Sequence, residues 1–88
     1  MTLRIEKIRS DRGTLVLLAG RLRPEHIDEV EALLEASEGE ITIDIGDLTL
    51  ISVEGVRFLN TCSRKGMRIV NATPYISGWM KRERTQRG

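Results

Sequence analysis

The sequence predicts a single α/β domain with a four-stranded mixed sheet and the element order β-β-α-β-α-β-α. Two apolar periodicities alternate along it. Ile41-Thr42-Ile43-Asp44-Ile45 repeats every two residues, as a strand with one buried face does. Gly55, Phe58, Leu59 and Cys62 fall at i, i+3, i+4 and i+7, which is one face of a helix. Strand patterns two, three and four are separated by helical patterns, so those strands run parallel with right-handed crossovers. A chain of 88 residues holds one modest core.

Leu3 to Ile8 is the first strand, with Leu3 and Ile5 on one face and Arg4 and Glu6 on the other. Ile8 breaks the alternation, so a bend or bulge is expected near Lys7. Ser10-Asp11-Arg12-Gly13 is a turn. The short connection makes an antiparallel hairpin with a second strand, Thr14 to Ala19. Its unbroken apolar run, Leu15-Val16-Leu17-Leu18, is the pattern of a central strand covered on both faces. Pro24 suits the first position of a helix. Glu25, Asp28 and Glu29 lie near that helix's positive end. Ile27, Val30, Leu33 and Leu34 form its stripe, and Gly39 ends or follows it.

The third strand is expected over Glu40 to Ile45, followed by a loop. The second helix runs from about Val53 to Arg64, with Lys65-Gly66 at its end. The fourth strand spans Met67 to Val70 or Asn71. Thr73-Pro74 caps and opens a third helix carrying Ile76, Trp79 and Met80. Tyr75 and Trp79, four residues apart, form a contact pair there, and Gly78 is a weak spot. The polar positions Arg4, Glu6, Thr42 and Asp44 leave one sheet face partly covered, so the helices pack mainly on the other face. The tail Lys81–Arg87 carries four positive charges and one negative and reads as a solvated, frayed end. The expected organisation is a domain over residues 1–82 and a basic, flexible tail over 83–88.

Composition excludes several classes. A net charge of +1 exerts no general pull on nucleic acid or anionic membrane. The basic tail lacks interleaved aromatics and a DNA-reading motif. No apolar run is long enough to span a bilayer, and the N-terminus lacks a signal peptide's apolar core. Cys62 is the only cysteine, which fits a reducing cytoplasm. With one Cys and one His, the usual tetrahedral zinc site cannot be assembled from one chain. His26, Asp44 and Asp47 have no nucleophile or base beside them, so neither catalysis nor a cofactor is expected. Asp44 reads as solvated face and Asp47 as turn.

This order, joined to its motifs, resembles the STAS domain, the family of bacterial anti-sigma-factor antagonists and of sulfate-transporter tails. Gly20-Arg21-Leu22 is similar to the family's Gly-x-Leu after the second strand. Ile41-Thr42-Ile43-Asp44-Ile45 is similar to its third strand. Asp47-Leu48-Thr49 is similar to its Asp-Leu-Ser, and Gly55 matches the glycine closing its Asp-Ser-Ser/Thr-Gly loop. The resemblance covers about residues 3–82. It implies a non-enzymatic, cytoplasmic protein-interaction module whose partner is an anti-sigma-type kinase. In signalling members that kinase phosphorylates the serine after the loop aspartate. Here Ser52 stands at the aspartate position, Val53 at the phospho-acceptor and Glu54 at the next hydroxyl. Valine cannot be phosphorylated, so the resemblance implies a scaffold without the usual switch. Typical members add a final strand and helix. The chain stops after its third helix, so a free sheet edge and a homodimer are expected.

The partner surface expected from this reading is the 49–57 loop and the start of the second helix: Thr49, Ser52, Val53, Glu54, Val56, Arg57 and Asn60. On the helix, Val53, Val56, Asn60 and Arg64 are expected to face away from the sheet, with Val53 and Val56 as an apolar docking pair. Ser52 has two readings. As an N-cap it accepts an N–H from the first turn; as a phospho-acceptor it would set phosphate at a helix N-terminus, where Glu54 repels it. The cap is the favoured one. Glu54 complements the helix dipole. The alternative function is a sensor of nucleotides or anions cradled by the Asp47–Gly55 loop.

Overall fold

The computed structural model describes residues 3–86. Strands β1 (Leu3–Ser10) and β2 (Gly13–Leu22) form an antiparallel hairpin. A 3-10 turn at Pro24–His26 leads into α1 (Ile27–Glu35); β3 (Glu40–Ile51), α2 (Val53–Arg64), β4 (Arg68–Val70) and α3 (Pro74–Gln86) follow. The sheet order is β1-β2-β3-β4, with β2, β3 and β4 parallel. The chain is thus one α/β domain with a four-stranded mixed sheet and three helices. Its radius of gyration of 12.3 Å matches the roughly 12 Å of a compact chain this long.

One sheet face carries the core. Val16, Leu18 and Leu22 of β2 and Ile43, Ile45, Leu48 and Ile51 of β3 are buried with Val30 and Leu34 of α1. Val56, Leu59 and Cys62 of α2 and Ile76 and Met80 of α3 complete it. Leu15 and Leu17 alternate with the buried β2 residues and stay only half-buried. The expectation of a second strand covered on both faces is therefore corrected. Its apolar run is continuous, yet only the Val16–Leu18 face meets helices. The bulge expected near Lys7 is also absent: β1 pairs with β2 without a register shift from Leu3↔Gly20 to Ser10↔Gly13. Ile8 simply lies on the open face, 47% exposed.

β3 is longer than its alternating segment. Its buried residues after Ile45 are Leu48 and Ile51, each three residues on. The register against β2 explains this spacing. Leu17↔Asp44 is followed by Ala19↔Asp47, and Gly20↔Leu48 by Arg21↔Leu50, so β3 inserts one extra residue twice. Each bulge resets the alternation so that the next apolar side chain faces inward again. Asp44 supports the first bulge. Its Oδ1 accepts the Gly46 N–H at 2.9 Å and its Oδ2 accepts from Asn71 Nδ2 at 2.9 Å. It lies half-buried on the open face of the sheet, the face expected of it, and acts there as a structural acceptor. Asp47 is exposed within the strand beside that bulge, not in a turn. Asn71 itself has φ +64°, a left-handed conformation that Asn tolerates better than most residues. At the other end, Gly13 (φ +153°) brings the hairpin against β3: a Cβ there would stand 2.0 Å from the Glu40 carbonyl oxygen.

The expected frayed tail is instead helical. α3 runs to Gln86, and its buried stripe Ile76, Met80 and Glu83 keeps the i, i+4, i+7 spacing. Glu83 was hidden from a hydrophobic pattern by its charge. Arg87 and Gly88 lie outside the described residues. Thr73 Oγ1 accepts the Ile76 N–H at 3.3 Å, which fixes the expected α3 cap. Tyr75 and Trp79 meet with ring centroids 5.9 Å apart.

Candidate functional site

The β3–α2 junction is built from three anchors on Ser52. Its N–H donates to the Leu22 carbonyl at 2.9 Å, which ties the tip to β2. Its carbonyl accepts the Val56 N–H at 3.0 Å, the first bond of α2. Its Oγ accepts the Gly55 N–H at 3.0 Å. Extended dihedrals of −80° and 166° complete a helix N-cap. The cap reading of Ser52 thus has its geometry, and the hydroxyl is engaged inside the fold. Gly55 sits where α2 crosses the sheet. A Cβ there would lie 2.9 Å from Ile51 Cγ1 and 3.2 Å from Leu22 Cδ2, so only glycine allows this approach.

Of the seven residues expected to form the partner surface, Thr49, Val53 and Glu54 lie at the junction with side chains at least partly open to solvent. Thr49 and Glu54 are exposed and Val53 is half-buried. Thr49 Oγ1 donates to the Gly20 carbonyl at 3.0 Å and pins the second bulge. Ser52 is half-buried as the cap. Arg57 is exposed but tethered: its Nε donates to Glu83 Oε1 at 2.9 Å.

Val56 and Asn60 are elsewhere. Val56 is 0% exposed and Asn60 3% exposed. Asn60 Nδ2 donates to the Met80 carbonyl at 3.0 Å, and Arg84 Nη1 donates to Asn60 Oδ1 at 3.3 Å. The expectation that both face outward is corrected: α3 packs on that side of α2, and an outward Val53–Val56 pair does not exist. Arg64 is exposed as expected.

Sequence reasoning passed over Leu50. It is 50% exposed at the tip, between buried Leu48 and Ile51. The signal was its place in an apolar run, Leu48-Thr49-Leu50-Ile51, too dense for one strand face.

The other candidates have structural duties. His26 Nδ1 accepts the Arg23 N–H at 3.1 Å, closing the turn before α1. Cys62 is buried, and burial pushes its thiol up to about 11, with Glu31 adding to the rise and Lys65 opposing it. Among the described residues no group of three or more His, Cys, Asp or Glu could hold a metal ion. No helix among them is long and apolar enough to cross a membrane. No protein-family model matches the chain, and no curated protein matches it in sequence.

Proposed function

We propose that this chain is a non-enzymatic interaction module of STAS-like topology that docks a protein partner through the tip where β3 enters α2. The observation that carries the reading is Leu50, half exposed on a strand end that follows two bulges and leads into the Ser52 cap. Together with Val53 it offers an apolar contact flanked by Thr49 and Glu54, the composition of a small interface core with a polar rim. Val53 carries no hydroxyl, and the Ser52 hydroxyl is engaged as a cap, so docking proceeds without serine phosphorylation. The partner proposed from the resemblance is an ATP-binding protein of the anti-sigma-kinase type, met in the cytoplasm. A homodimer remains part of the proposal, and sedimentation at high micromolar concentration reads it directly.

The rival reading, an anion or nucleotide cradle at the same tip, is weakened by two features. Ser52 already takes the Gly55 and Val56 N–H groups, and Glu54 adds negative charge there. The test is affinity capture from native extract with mass-spectrometric identification, using the wild type beside Leu50→Asp and Val53→Asp. A kinase-like protein retained by the wild type and lost by both variants supports the proposal. Equal retention by all three removes the tip, and stoichiometric phospho-Ser52 after incubation with that kinase and ATP removes the unswitched reading.

A further inference from the structure

We infer that the seam between α2 and α3 is a binding site for a phosphate-type oxyanion, separate from the β3–α2 tip. A cleft of about 90 Å³ opens there, lined by Arg57, Asn60, Thr61, Arg64 and Glu83. Arg84, on α3, borders it through its bond to the lining residue Asn60. Two guanidinium groups, Arg57 and Arg64, line the cleft with one carboxylate, Glu83, and a third, Arg84, borders it behind Asn60.

Each arginine is positioned by a single hydrogen bond that leaves most of its donors unused. Arg57 gives Nε to Glu83 at 2.9 Å, Arg64 gives Nη2 to Thr61 Oγ1 at 3.1 Å, and Arg84 gives Nη1 to Asn60 Oδ1 at 3.3 Å. A guanidinium has five N–H donors in a planar fork that suits phosphate oxygens. Among the described residues no carboxylate lies within ion-pair distance of Arg64 or Arg84. Asn60 is the pivot. It is buried and locked to the Met80 carbonyl, so the Arg84 anchor does not drift with solvent. The cleft takes one phosphoryl group, and whatever that group carries projects into solvent. A lone surface arginine would fold back onto its own helix at no loss. Here Arg57 and Arg64 line the cleft from α2 and Arg84 borders it from α3, so an anion seated there meets donors from two helices.

The test is a titration of the isotopically labelled full chain with inorganic phosphate, followed by the arginine side-chain NH resonances, with chloride at matched ionic strength as the control. Glycerol phosphate in a second series asks whether an esterified phosphoryl group serves as well as the free ion. Saturable shifts of Arg57, Arg64 and Arg84 with phosphate and not with chloride are expected. Arg64→Gln and Arg84→Gln should each weaken binding about tenfold, the loss of one charge-assisted contact. Arg21→Gln, at an exposed position near the C-terminal end of β2, should leave it unchanged. Both glutamine variants keep the Arg57–Glu83 pair, and Trp79 fluorescence verifies their fold. Shifts that never saturate, shifts reproduced by chloride, or full binding by the Arg64→Gln/Arg84→Gln double variant would overturn the inference.

Discussion

Asn60→Ala distinguishes a docked α3 from a free one by the sign of its effect. The variant removes the Nδ2 bond to the Met80 carbonyl, worth about 1 kcal/mol for a buried neutral pair. It also removes the 3.3 Å bond from Arg84, which is longer and nearer solvent and so worth about half as much. The emptied amide volume, in a site only 3% exposed, adds about 1 kcal/mol. Alanine's better helix propensity returns about 0.6 kcal/mol. The net expectation is a loss of about 2 kcal/mol, which lowers the melting temperature of so small a domain by roughly 10 °C. Were Asn60 on a solvent face, as its spacing from Val53 and Val56 suggests, only the propensity would remain and the variant would be slightly more stable. Urea denaturation followed by far-UV circular dichroism reads the difference as a midpoint shift at constant slope. Stability equal to or above wild type would refute the docking of α3 on α2 described above.

Val56→Asp should abolish cooperative folding because it buries an unpaired charge at a fully enclosed site, whereas half-buried Val53→Asp should keep a sharp thermal transition. Ser52→Ala should lose about 1 kcal/mol in denaturant titrations as the α2 cap disappears, and Ser52→Asp should recover most of it. Gly78→Ala should gain up to about 1 kcal/mol, since its Cβ would meet nothing nearer than Arg82 Nη1 at 3.7 Å within an unbroken helix. Cys62 should resist thiol reagents at neutral pH in the native state and react at once in denaturant. Its thiol is pushed up to about 11 by burial, against 9.0 without it. The folded state then holds a proton that the unfolded state releases, so the thiol's contribution is full below pH 9 and falls as pH rises through 11. The stability difference between wild type and Cys62→Ala should shrink across that window.

Where one residue pattern serves one neighbour, the sequence is transparent. The α2 stripe Gly55, Leu59 and Cys62 packs on the sheet at its expected spacing, and α2 itself occupies the expected Val53–Arg64. The failures share a cause, which is contact made by something other than aliphatic periodicity. β3 past Ile45 is invisible to a period of two because two bulges shift its inward positions to a step of three. Asn60 and Glu83 are interior residues with polar side chains. One is satisfied by the Met80 carbonyl and the other by the Arg57 guanidinium, so a hydrophobic pattern reads both as surface. The run Leu15-Val16-Leu17-Leu18 errs in the opposite direction, since half of it faces the open side of the sheet.

These corrections bear on where a partner can bind. α2 spends one face on the sheet through Gly55, Leu59 and Cys62, buries Val56 in the core, and turns Asn60 to α3. What remains exposed on it is charged or polar, including Glu54, Arg57 and Arg64, and Arg57 is committed to Glu83. A partner that needs apolar contact therefore gains little along the helix barrel and more at its N-terminal end, next to the exposed Leu50. The second bulge in β3 is what makes that end available. It lets Ile51 turn inward to close the core while its neighbour Leu50 is thrown outward, so the same inserted residue both completes the packing under Gly55 and creates the exposed apolar tip.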